Sequence, residues 1–157
     1  LKNSKKLIIL KAFTKLYGMA GVRLGYCLCS DTELLARMRA AGQPWAVSSL
    51  AQAAGIAALD ETEYVAKVRA LIEAQRPVLA DGLRALGLRV IEGRANYLLF
   101  RAPEALGEAL RRKGAVLRSC GNYPGLDASW YRTAVRTENE NRQLLALLAE
   151  TLPEVAQ

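Results

Sequence analysis

Apolar positions along the chain fall into short clusters separated by turn residues. Lys6–Leu10 (KLIIL) has the length and branching of a strand. From Val22 to Leu28 the pattern is period two, with Val22, Leu24, Tyr26 and Leu28 alternating with Arg23, Gly25, Cys27 and Cys29. Ser30 with Glu33 reads as a capping box that opens a helix over Asp31–Ala41, ended by Gly42 and a Pro44-Trp45 turn. Val47–Leu86 is rich in Ala, Leu, Gln and Glu and reads as a long helical region that Pro77 kinks or divides. After Gly87 the period shortens. Leu88–Ile91 and Tyr97–Phe100 read as strands, Pro103–Lys113 as a helix, Ala115–Arg118 as a strand and Trp130–Val135 as another. Thr137 with Glu140 opens a terminal helix with Leu144, Leu145 and Leu148 at helical spacing.

From residue 88 the order is strand, strand, helix, strand, strand, helix. That order suits an α+β layer with helices over one sheet face. The two early strands have only each other as partners, which implies that the sequence begins inside a larger domain. Of the 157 residues, 52% are apolar and 24% charged, the balance of a globular chain rather than a disordered one. No apolar run reaches the ~18–20 residues of a membrane span. No secretory leader is visible either, so a cytoplasmic protein without membrane contact is expected.

The net charge of +7 raises nucleic acid as a partner. The arginines are spread along the whole chain, however, and no basic run is interleaved with aromatics, so nucleic-acid binding is not expected. Cys27, Cys29 and Cys120 are too few for a disulfide framework, and without histidine or a CxxC pair they make no metal site.

The most informative stretch is Phe13–Tyr26, FTKLYGMAGVRLGY. Lys15 alone reads as solvated surface, and Arg23 alone as an ion-pair partner. Together they suggest chemistry. Gly18, Gly21 and Gly25 allow close backbone approach around one lysine and one arginine. A lysine beside cations or out of water has a lowered pKa, which suits Schiff-base formation, and arginine suits a bidentate grip on phosphate. A second constellation runs from Leu117 to Leu126 and from Tyr131 to Thr137. Its plain reading is strand, turn and strand with arginines facing water.

The first stretch resembles the pyridoxal-phosphate attachment region of class I and II aminotransferases. Thr14, Lys15, Gly18, Gly21, Val22, Arg23 and Gly25 match, with the arginine eight positions after the lysine. The resemblance implies the carboxyl-terminal part of the pyridoxal-phosphate-dependent transferase fold. Residues 1–45 would close the large cofactor-binding domain and carry remnants of its sheet. Residues 46–86 would form a helical connection, and residues 87–157 a small α+β domain with an antiparallel or mixed sheet under helices.

The resemblance also implies roles. Lys15 is the Schiff-base lysine, Arg23 holds the phosphate of pyridoxal 5′-phosphate, and Thr14 joins them. Ala12 stands where the family usually has a small polar residue, which removes one phosphate contact. Arg132, opening the last strand, corresponds to the clamp for a substrate α-carboxylate. Arg118, fourteen residues earlier, corresponds to the residue that meets a distal phosphate. Arg136 lies farther along the strand and reads as structural. Asn96-Tyr97 fits the family's small domain, or is simply a turn asparagine and a core tyrosine.

Gln43–Ser48 with Leu50-Ala51-Gln52, Arg118–Tyr123 and Tyr131–Asn141 are similar to segments of the threonine-phosphate decarboxylases of cobalamin synthesis. Histidinol-phosphate aminotransferases share the layout and are the alternative. A basic binding module without catalysis is the distant one. By resemblance the full-length enzyme is a homodimer, with Pro44–Ser49 approaching the neighbouring cofactor, and its substrate is a small phosphorylated amino acid or amine. The family's aspartate for the pyridine nitrogen, its stacking aromatic and its glycine-rich phosphate turn precede the lysine and have no counterpart here. This stretch alone is therefore expected to bind cofactor weakly and to turn over no substrate.

Overall fold

The computed structural model describes Ser4 and residues 6–155. The chain divides into two compact units, residues 1–68 and 69–157.

In the first unit, β1 (Ile9–Ala12) pairs antiparallel with β2 (Gly25–Leu28), Ile9 opposite Leu28 and Ala12 opposite Gly25. A side chain at Gly25 would place its Cβ 2.9 Å from the Lys11 carbonyl oxygen, so the pairing requires glycine there. Both strands are shorter than the apolar pattern suggests. Residues 20–22 form a 3₁₀ turn rather than strand, and Arg23 turns the chain through φ +57° before the ladder begins.

Helix α1 (Thr32–Ala41) follows, capped by Asp31 rather than Ser30: the Asp31 carboxylate accepts from the Leu34 N–H at 2.9 Å. Ser30 instead donates its hydroxyl to the Ser4 carbonyl at 2.8 Å. Helix α2 (Ser49–Asp60) is capped by Ser48 and buries Ala51, Gly55 and Ala58 along one stripe. Its other side leaves Leu50, Ile56 and Leu59 exposed.

The long helical region is divided at Glu61, not at Pro77. Pro77 lies inside α3 (Thr62–Ala85). An interior proline removes one N–H and leaves the carbonyl four residues earlier without its helical partner. Here Glu73 and Pro77 are both exposed, so water can satisfy that carbonyl and the helix continues.

The second unit contains a fully antiparallel sheet in the order β3-β4-β6-β5, formed by Arg89–Ile91, Tyr97–Arg101, Trp130–Ala134 and Arg118–Ser119. One face is covered. Leu98, Phe100 and Tyr131 join Leu79 and Leu83 of α3, Leu106 and Leu110 of α4 (Leu106–Arg112), and Leu148 of α5 (Glu138–Val155) in one core. The expected α+β layer is thus present.

Two elements begin later than their patterns suggest, each for a hydrogen-bonding reason. Helix α4 starts at Leu106, and its N-cap position, Ala105, has no side-chain acceptor. The buried Tyr131 hydroxyl accepts from the Gly107 N–H at 3.2 Å and donates to the Glu104 carbonyl at 2.6 Å. Gly107 makes this possible, because a Cβ there would lie 3.0 Å from the Tyr131 ring. Residues 115–117 stay outside β5, since the Ala115 N–H closes the end of α4 on the Leu110 carbonyl at 2.9 Å.

The junction between β6 and α5 is polar and built on one buried side chain. Asn141, 2% exposed, accepts from the Arg136 N–H at 3.1 Å and donates to the Arg136 carbonyl at 2.9 Å. It also donates to the Gln75 side-chain oxygen at 3.3 Å. The capping box forms as expected: Glu140 accepts from the Thr137 N–H at 3.2 Å, and the Glu140 N–H points at the Thr137 hydroxyl at 3.5 Å. Arg136 pairs with Glu140, its Nε at 2.7 Å.

Asn141→Ala leaves the Arg136 backbone groups unpaired and is expected to cost about 1–3 kcal/mol, read as a lowered urea midpoint. The Arg136 guanidinium first, and then the Thr137 hydroxyl and N–H, draw the Glu140 carboxyl from an ordinary 4.5 to about 2. A folded value below the unfolded one means that this contribution is complete above about pH 4.5 and fades as pH falls towards 2. The stability difference between wild type and Glu140→Gln should therefore shrink over that interval. Urea midpoints that stay equally far apart from pH 6 to pH 2.5 would refute the assignment.

Candidate active site

The connection between β1 and β2 is folded around one aromatic side chain. Phe13 is 3% exposed and stacks on Tyr17, ring centroids 5.0 Å apart. Its N–H donates to the Leu24 carbonyl at 3.2 Å, and its carbonyl accepts from the Met19 N–H at 3.2 Å. The chain therefore leaves β1, closes a tight loop and re-enters β2 at a fixed point. Lys15 stands on the outer turn of that loop, its carbonyl accepting from the Gly18 N–H at 3.2 Å. The Lys15 side chain is exposed, and Thr14 beside it is half-buried.

Arg23 closes the same loop. Its left-handed backbone is unfavourable for a residue with a Cβ, by roughly 1–2 kcal/mol. Such conformations concentrate where position matters more than local energy. One guanidinium N–H donates to the Ala20 carbonyl at 3.1 Å. That bond uses one of five donors and fixes the side chain against its own turn.

The uncovered face of the second unit's sheet carries the other predicted residues. Leu98 and Phe100 point into the core, so Tyr97 and Leu99 point away from it, and likewise Arg132 between Tyr131 and Thr133. Arg132 lies opposite Leu99 on one side and opposite Arg118 on the other. Two arginines thus occupy directly facing positions on neighbouring strands, and among the described residues neither forms an ion pair. Each is met by an aromatic ring instead: Arg132 lies 4.6 Å from the Tyr97 centroid and Arg118 5.9 Å from that of Tyr123. Tyr97 is therefore not a core tyrosine. A cavity of about 160 Å³ opens here, lined by Tyr97, Leu99, Cys120, Tyr123, Leu126 and Arg132. Arg136 lies away from this cavity, bound to Glu140.

Residues 1–148 match the family described as Aminotransferase class I and II. The chain belongs to that family. It is 38% identical over 160 aligned residues to the threonine-phosphate decarboxylase of Salmonella typhimurium, an alignment covering 99% of this chain and 44% of that protein. Its backbone superposes on the histidinol-phosphate aminotransferase of Clostridium acetobutylicum with a TM-score of 0.91 at 31% identity, over 98% of this chain and 48% of that one. The corresponding enzyme of Sinorhizobium meliloti, solved with pyridoxal 5′-phosphate, gives a TM-score of 0.73 at 25% identity, over 98% and 42% of the two chains. The chain thus spans less than half the length of these relatives.

Pyridoxal 5′-phosphate is the cofactor of class I and II aminotransferases. The donor set of the β1–β2 connection fits it. A primary amine can hold an aldehyde, and a guanidinium with most of its N–H groups unspent can hold a phosphate.

Sequence reasoning did not find the partners of the arginine pair. Tyr97 and Tyr123 were visible as residues, but their neighbours depend on strand register, which spacing alone does not give.

Because Phe13 anchors the Lys15 loop, Phe13→Ala should release the Met19 and Val22 amides. Their hydrogen exchange is expected to quicken at least tenfold while the amides of α5 keep their rates. Unchanged exchange at Met19 would show that the loop does not need the aromatic anchor.

Proposed function

We propose that this chain is the carboxyl-terminal part of a pyridoxal-phosphate enzyme acting on a small phosphorylated amino acid or amine, most like an O-phosphothreonine decarboxylase. The observation that carries this reading is the opposed pair Arg118 and Arg132. Like charges directly across an antiparallel ladder repel. A pair without a carboxylate partner among the described residues, on an uncovered face where Arg132 lines a cavity, suits a ligand that brings two anionic groups. A phosphorylated amino acid brings a carboxylate and a phosphate.

The roles follow from side-chain chemistry. Lys15 would hold the cofactor through its amine, and its Nζ would carry a proton to or from the substrate α-carbon. Arg23 holds the cofactor phosphate, and the Thr14 hydroxyl adds a hydrogen bond. Arg132 grips the substrate α-carboxylate and Arg118 the distal phosphate. The cofactor, when bound, supplies an electron sink for the α-carbon. Which bond to the α-carbon is lost would follow from how Arg132 and Arg118 orient the substrate's two anionic groups. Loss of the carboxylate releases carbon dioxide, and the α-carbon takes up a proton in its place. Loss of the α-proton instead leads to amino transfer.

Transamination is the second reading, supported by the backbone likeness to the histidinol-phosphate aminotransferase. Carbon dioxide release from O-phosphothreonine without an added keto acid supports the decarboxylase. Strict dependence on 2-oxoglutarate moves the assignment to the aminotransferase. Borohydride reduction in the presence of pyridoxal 5′-phosphate is expected to fix the pyridoxyl label on Lys15, located by peptide mass mapping. Label recovered only on Lys11 or Lys6 would overturn the role given to Lys15.

A further inference from the structure

The turn that follows β5 carries two side chains to which neither the core nor the chemistry above gives a task. Asn122 accepts a hydrogen bond from Arg118 Nη2 at 3.1 Å, and the Tyr123 ring lies 5.9 Å from the same guanidinium. The turn itself is firmly built. The Cys120 N–H donates to the Trp130 carbonyl at 2.8 Å, the Tyr123 N–H to the Cys120 carbonyl at 3.0 Å, and the Leu126 N–H to the Tyr123 carbonyl at 3.1 Å. Cys120 is buried beneath it, 2% exposed.

The two arginines are held differently. Arg132 is half-buried, in the middle of its sheet, and braced by Tyr97 on the adjacent strand. Arg118 is exposed and lies on a two-residue edge strand. Packing alone leaves its side chain many rotamers, so whatever fixes its fork must come from the turn. Asn122 Oδ1 engages one guanidinium N–H, and the Tyr123 ring centroid lies 5.9 Å from its carbon. With Oδ1 so engaged, the Asn122 Nδ2 donor has no partner among the described residues. The cavity of about 160 Å³ beside Tyr123 and Arg132 is smaller than the ~300 Å³ of ordinary ligand pockets, which is the scale of one anionic end of a substrate.

We propose that Asn122 and Tyr123 are positioning residues for Arg118, and that by fixing its guanidinium they give the site its preference for a phosphate dianion over a carboxylate. The inference rests on the reading of Arg118 and Arg132 as the receptor for the substrate's anions. Asn122 aligns the fork and Tyr123 limits its swing, so that Arg118 presents a preset donor edge for the phosphate beside the carboxylate receptor Arg132. Without them Arg118 is a solvated side chain, and Arg132 alone still receives a carboxylate.

The test uses the 157-residue chain and two probes, inorganic phosphate at pH 8 and acetate, titrated while the arginine Nε–H signals are followed by NMR. Wild type is expected to bind phosphate about tenfold more tightly than acetate, with the Arg118 signal following phosphate and the Arg132 signal following acetate. Asn122→Ala and Tyr123→Leu should each weaken phosphate about fivefold and leave acetate within twofold. Tyr123→Phe, which keeps the ring and loses only the hydroxyl, should behave as wild type. Phosphate affinity unchanged in both Asn122→Ala and Tyr123→Leu overturns the positioning role while leaving the arginine pair as receptor. An equal loss for both probes also overturns it, because that is the signature of a turn needed only for folding. A wild-type chain in which neither probe moves the Arg118 or Arg132 signals overturns the receptor reading and this inference with it.

Discussion

In an antiparallel ladder, successive side chains leave the sheet on opposite faces. The pairing that buries Phe100 against Tyr131 therefore also turns Leu99 and Arg132 outward. A slip of one residue would send Arg132 into a core of leucines and bring Tyr131 to the surface. The hydrophobic demand of the covered face fixes the register, and the register fixes which polar groups meet on the open face. Arg118 is brought opposite Arg132 by the same rule, through the short β5–β6 pairing. The grouping of polar side chains on the open face is in this sense a consequence of packing on the other side.

The first unit works by a different constraint. Two four-residue strands offer little area, so the connection between them is stabilised from within. Phe13 supplies the apolar contact, and backbone bonds to Leu24 and Met19 close the loop. Lys15 needs no partner of its own under this arrangement, because its backbone is fixed by neighbours and its amine remains available. Arg23 accepts an unfavourable backbone conformation at the point where the loop turns into β2. The cost is local, and the ladder beyond it is regular.

Much of this was legible in the residues. The order of strands and helices after residue 88 follows from the shift between period two and helical spacing, and the Thr137–Glu140 box stands where its spacing places it. The lysine and arginine of the β1–β2 connection were visible as a motif and a resemblance together. What the sequence hid was pairing and compensation. Pro77 reads as a break, yet it sits on an exposed helix face where solvent relieves the lost hydrogen bond. Ser30 and Asp31 are both good caps, and only the chain's path chooses between them. The aromatic partners of Arg118 and Arg132 arise from contacts across strands, which periodicity along a single strand cannot encode.

Tyr131 ties these threads into a restriction on how such a site can change. Its ring fills the core, while its hydroxyl supplies the first turn of α4 with an acceptor that no nearby residue offers. Its immediate neighbour in the chain is Arg132. Sequence drift at position 131 would thus unsettle a helix on one side of the sheet and the aim of a guanidinium on the other. A lineage reshaping the open face would find that position closed, and would have to explore the edge strand and its turn instead.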